Sequence, residues 1–205
     1  ADAAGVEADE VSVSTVGPSW GANITEKAVR ALLVFFVILG VYIAFTLEWR
    51  MAVGALVAVA HDIIISVGVY SIFQLEVTPA TVVAFLTILG FSLYDTIVVF
   101  DKVKENQARV GLSNRTTYTG LMNLSLNQTL MRSVNTTFVT IVPVLSILLI
   151  GAVLLGAVTL EEFGFALLVG LISGAYSSIV VAARLVAALK EREPRNKTLR
   201  ERLEK

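Results

Sequence analysis

A few ionisable side chains stand in apolar surroundings, where charge is costly. Asp95 lies within LTILGFSLYDTIVVF, His61 and Asp62 sit side by side within MAVGALVAVAHDIIISVGVY, and Arg132 ends the polar segment NLSLNQTLMRS. A charge at the centre of a membrane helix costs on the order of 2.5–3.5 kcal/mol on insertion scales, so each residue needs a partner or a task. Burial disfavours the charged form of Asp95, while a nearby cation would favour it. A carboxyl pulled both ways can exchange a proton. Ser92 and Thr96 share its helix face, which makes a polar stripe. The alternative is a structural hydrogen-bonder at a helix contact.

Asp62, Ser66 and Tyr70 recur at a spacing of four and form a second stripe. His61 titrates near neutral pH and could relay a proton. Neighbours on a helix point about 100° apart, so His61 and Asp62 are not expected to pair simply with each other. The bland reading has Asp62 anchoring a neighbouring backbone while His61 packs. Arg132 stays protonated and can grip a carboxylate. It enters the apolar region at the depth Asp95 reaches, and pairing would lessen the cost of burying both. Snorkelling to lipid headgroups is the alternative.

Other polar positions read as structural. Pro143 follows Thr136 and Thr140, so it frees a carbonyl, predicts a bend and allows a hinge. Gly170 and Gly174, with Ser173, Ser177 and Ser178, make a small-residue face for close helix packing. There is no Cys and a single His, which excludes disulfides and His-rich or Cys metal sites. No P-loop, nucleophile elbow or metal motif is present. The chain reads as a non-enzyme with no cofactor, no metal and no nucleic-acid partner.

The elements that must carry these residues are membrane helices. Hydrophobic residues make up 56% of the 205 and charged ones only 16%, against roughly 45–50% and about 25% in an ordinary soluble domain. Apolar stretches of about 20 residues, enough to cross a bilayer core, alternate with short polar ones. The expected spans are 28–47, 51–73, 80–100, 134–156 and 163–189, with a polar connection at 101–133 and a highly charged tail at 190–205. Residues 1–27 are polar and acidic. Val11, Val13 and Thr15 alternate with serines as a short strand does, Gly17-Pro18 breaks it, and Asn23 with Glu26 resembles a helix cap. The expected fold is an all-α polytopic membrane bundle with a remnant N-terminal strand. The N-terminus reads as the interior of a longer protein or a trimmed one.

Basic residues orient the bundle. Arg50, the connection (Lys102, Lys104, Arg109, Arg115, Arg132) and the tail fall on one side, the expected cytoplasm. The N-terminus is then outside and the C-terminus inside. An odd number of spans with an outside start implies that an upstream span is missing.

STVGPSWG, AHD, LGFSLYDTIVVFDKVKEN, NLSLNQTLMRS and GLISGAYSSIVVAA, in that order, resemble the motifs of the SecF family. SecF is the smaller partner in the bacterial SecD–SecF export complex, within the resistance-nodulation-division superfamily. The resemblance runs from about Val11 to about Lys190. It implies five spans of a six-span half, the strand being the end of an α+β extracytoplasmic domain. It implies a multi-pass protein of the bacterial cytoplasmic membrane, acting with a SecD-like subunit and the SecYEG channel on preproteins in contact with membrane lipid. Proton entry would drive late steps of export. By motif, Asp95 matches the family's intramembrane Asp, Arg132 its Arg, and His61 and Asp62 its HD pair. Tyr94 stands where Asn commonly precedes the Asp, and Arg184 where Pro is usual. Two other functions stay open: a small-molecule efflux transporter of the superfamily, or a non-transporting scaffold subunit.

Overall fold

The computed structural model describes residues 18–110, 116–154 and 156–203, and within them the chain is a bundle of helices. The strand expected over Val11–Thr15 lies outside the described residues. Helix α1 (Pro18–Thr46) begins earlier than the Asn23 cap suggested. Asn23 is therefore inside the helix and not at its cap.

Glu48 links α1 to α2 (Trp49–Ile72), and a turn through Gln74 leads to α3 (Pro79–Val110). Helix α4 (Tyr118–Ser146) continues into a π-helical segment, Ile147–Leu154. The polar connection at 101–133 is thus mostly helical, formed by extensions of α3 and α4. Thr117 caps α4, its hydroxyl accepting the Gly120 N–H at 3.1 Å. Helix α5 (Val158–Tyr176) passes through a second π segment, Ser177–Ala182, into α6 (Ala183–Glu191), and α7 (Pro194–Leu203) follows in the charged tail.

Among the described residues, four stretches are long and apolar enough to cross a membrane: Trp49–Ile72, Pro79–Arg109, Tyr118–Gly151 and Val158–Glu191. They overlap the second to fifth expected spans, with different ends. The first falls on α1, whose residues 31–46 carry no charge. The architecture is an all-α polytopic membrane bundle. Its outer surface is apolar: Phe45, Phe138, Val139 and Leu154 are exposed.

Helix α3 is the hub and packs on α2, α4 and α5. Phe100, Val99 and Val103 of α3 bury against Met51, Ala55 and Val59 of α2 and Val186 and Ala187 of α6. The α3–α5 approach depends on two absent side chains. A Cβ on Gly170 would collide with Ile88, and one on Gly174 would come within 2.9 Å of the Ser92 Cβ. Small residues here let the two backbones close up, which brings hydroxyls of α5 to the polar face of α3.

Candidate functional site

Asp62 is completely buried at the junction of α2, α3 and α5. The i, i+4 stripe of α2 faces inward, with Ser66 and Tyr70 also buried. Three serines donate to the carboxylate: Ser92 and Ser177 to Oδ2 at 2.5 and 2.8 Å, and Ser173 to Oδ1 at 2.9 Å. Ser173 and Ser177 are one helical turn apart, so both hydroxyls reach the same target from α5. These hydrogen bonds offset the cost of burying the polar Asp62 side chain.

His61 was expected not to pair with its neighbour. Its ring nevertheless brings Nδ1 to 3.3 Å from Asp62 Oδ1 while leaning towards Tyr176, with ring centres 6.2 Å apart. The imidazole is long enough to bend back along the helix. The 100° between adjacent Cα–Cβ directions limits the contact to a long one. His61 is part-exposed and marks the outer edge of the cluster.

Asp95 occupies a second buried position on α3 and is differently served. Ser133 of α4 donates to its Oδ1 at 2.7 Å, and Oδ2 has no hydrogen-bond partner. Arg132 is adjacent to Ser133 and points to the exposed side. It donates to the Tyr94 hydroxyl at 3.1 Å. The expected Arg132–Asp95 ion pair does not form in this structure. Two facing helices place residue pairs in register: Asp95 meets Ser133 inside, and the preceding residues, Tyr94 and Arg132, meet outside.

A polar seam between α3 and α5 continues from the Asp62 cluster. Thr96 donates to Ser178 Oγ at 2.9 Å, and Ser178 donates to the Gly174 carbonyl at 2.8 Å. Ser92, expected beside Asp95, turns to Asp62. Pro143 lies inside α4, yet the Thr136 and Thr140 hydroxyls bond the carbonyls of Arg132 and Thr136. The carbonyl that Pro143 leaves without its N–H donor is that of Val139, four residues back. Among the described residues, no three His, Cys, Asp or Glu side chains converge as metal ligands do.

Residues 1–192 match the family described as "Protein export membrane protein SecD/SecF, C-terminal". The chain belongs to this SecD/SecF family. It is 50% identical over 198 residues to the protein translocase subunit SecF of Streptomyces coelicolor, covering 97% of this chain and 53% of that protein. It is 41% identical over 187 residues to the protein translocase subunit SecDF of Thermus thermophilus, covering 91% of this chain and 24% of that one. A crystal structure of SecDF in a super-membrane-facing form superposes with a TM-score of 0.73 at 40% identity, over 91% of this chain and 24% of the other. The chain thus spans about half of one such relative and about a quarter of another.

This SecD/SecF-family bundle is also tied together at its basic end. Lys190 is buried, pairs with Glu48 and lies 5.7 Å from the Tyr118 ring centre. Arg50 pairs with Glu193 and donates to the Leu189 carbonyl at 3.2 Å, and Glu191 accepts from Thr119 Oγ1 at 2.5 Å. Arg184 is exposed on α6. Sequence reasoning read Ser173, Ser177 and Ser178 as packing and passed over Ser133. The Ser173–Ser177 spacing of four was the available signal. Nothing local marked Ser133, because its partner comes from another helix.

Proposed function

We propose that this chain is the membrane-embedded part of an auxiliary subunit of the Sec protein translocase, with a transport role and no enzymatic one. Acting with a SecD-like subunit beside the SecYEG channel, it promotes late steps of preprotein export across the bacterial cytoplasmic membrane. Protons are the coupling ion and Asp95 is their carrier. Arg132 is the counter-charge that takes up the carboxylate when the helices shift. The end carrying Arg50, Lys190 and α7 faces the cytoplasm, and the N-terminus of this chain lies outside.

The observation that carries the reading is the half-served carboxyl of Asp95. One oxygen has a single hydroxyl donor and the other has none. A buried carboxylate with an empty acceptor site gains a partner by accepting a proton or by meeting Arg132, and both change α3–α4 packing. One elementary charge crossing 100 mV supplies about 2.3 kcal/mol, a useful bias on a two-state element. Membership of an export family supports the substrate class.

The test is Asp95→Asn in the full-length protein, assayed for export into inverted vesicles with and without a membrane potential. The expected result is loss of the potential-driven stimulation while the subunit still co-purifies with its partners. Wild-type stimulation would overturn the reading.

A further inference from the structure

The second π segment begins at Ser177, the residue whose hydroxyl meets Asp62. π turns inside α-helices arise where the i→i+4 ladder is displaced. The Ser177 N–H is shared between the Gly174 and Ser173 carbonyls, and the Gly174 carbonyl also accepts from the Ser177 and Ser178 hydroxyls. Serine hydroxyls that bond back to the preceding turn compete with the backbone for its acceptors. Ser178 is itself held by Thr96 of α3, and Ser177 by Asp62 of α2. The helix is gripped from two neighbours at the point where its register changes.

We infer that Asp62 is a positioning residue whose carboxylate, through Ser177, maintains the π turn at 177–182 and thereby sets the rotation of α6 and its Lys190–Glu48 contact. Three serine hydroxyls donate to its two oxygens. Ser92, Ser173 and Ser177 come from two other elements, so the same group locks three elements together. A one-residue change of register turns the helix beyond it by about 100° and moves it about 1.5 Å. In the observed register Ala183, Val186, Ala187 and Lys190 are buried, while Arg184 and Ala188 are exposed. Relaxation of the π turn to α-helix moves each residue into the place of its successor. Ala187 then takes the exposed place of Ala188, and Ala188 the partly buried place of Leu189. The inference does not depend on the proton-coupling role of Asp95.

The chain has no Cys, so a single introduced thiol reports its own surroundings. Ala187→Cys and Ala188→Cys, each in the intact protein in membranes, are labelled with N-ethylmaleimide and normalised to the denatured protein. With Asp62 present, the thiol at 188 reacts and that at 187 is protected. In Asp62→Asn the preference reverses, with a several-fold rise at 187 and a several-fold fall at 188. Ser177→Ala, which keeps Asp62 and removes the bond, gives the same reversal, and Ser177→Thr restores the parental pattern. If Asp62→Asn fails to accumulate, Ser177→Ala decides. An unchanged preference, or a parallel rise at both positions as in general loosening, overturns the inference.

Discussion

Ser133 donates a hydrogen bond to Asp95 Oδ1 at 2.7 Å, across the α3–α4 contact, and it is the sole hydrogen-bond donor among the described residues that reaches this carboxyl. Its chain neighbour Arg132 is spent on Tyr94 instead. The acid and the base are thus close in space and separated by a single step along each helix.

Removing that hydroxyl leaves both Asp95 oxygens without a donor. Ser133→Ala is expected to lower stability by about 1–3 kcal/mol, the cost of a buried polar group left unpaired, and to reduce potential-driven export. Ser133→Thr should retain both. Thermal unfolding in detergent and vesicle export read the two effects.

Tyr94 and Arg132 are exposed side chains joined by one hydrogen bond. Tyr94→Phe is expected to change stability by less than about 1 kcal/mol, because solvent or headgroups replace the lost partner, and to leave export stimulation intact with Arg132 released. Arg132→Ala should abolish the stimulation. Comparing the two variants in one vesicle assay separates the phenol from the charge.

Gly170 faces Ile88 with no room for a methyl group. Gly170→Ala is expected to destabilise the bundle by about 1–3 kcal/mol, the usual range for overpacking. Ile88→Ala in the same chain should recover part of the loss. A double-mutant cycle in unfolding experiments measures the coupling.

At the basic end, Lys190 has a buried side chain while Glu48 is nearly half exposed. Removing the partner is expected to be worse than removing the buried charge. Glu48→Gln leaves the ammonium with the more distant Glu193 carboxylate, 3.8 Å away, and the Tyr118 ring, whereas Lys190→Met keeps the packing and drops the charge. Unfolding midpoints should fall further in Glu48→Gln than in Lys190→Met.

The spans were legible because a bilayer imposes a length and a composition on any chain that crosses it. The runs around Asp62 and Asp95 could be nothing else, and the stripe Asp62, Ser66, Tyr70 turned inward as its spacing of four requires. Helix ends were less legible. Pro18 begins α1 well before the apolar run, and α3 and α4 extend through polar residues at 101–110 and 118–133. Apolarity marks the membrane and not the hydrogen-bond ladder, which continues through polar sequence.

The candidate site divides in the same way. The sequence alone determined which residues are costly in a membrane: Asp62 and Asp95 stand out because burial follows from the apolar runs around them, with His61 beside the first and Arg132 at the edge of the next span. Which groups meet those charges was decided only by the tertiary structure. Asp62 takes its donors from α3 and α5, Asp95 from α4, and Arg132 turns to Tyr94 because each helix directs adjacent residues about 100° apart. Chain spacing sets the direction of a side chain on its own helix. The partner depends on the rotation and offset of a second helix, and here glycines at 170 and 174 set those for α5.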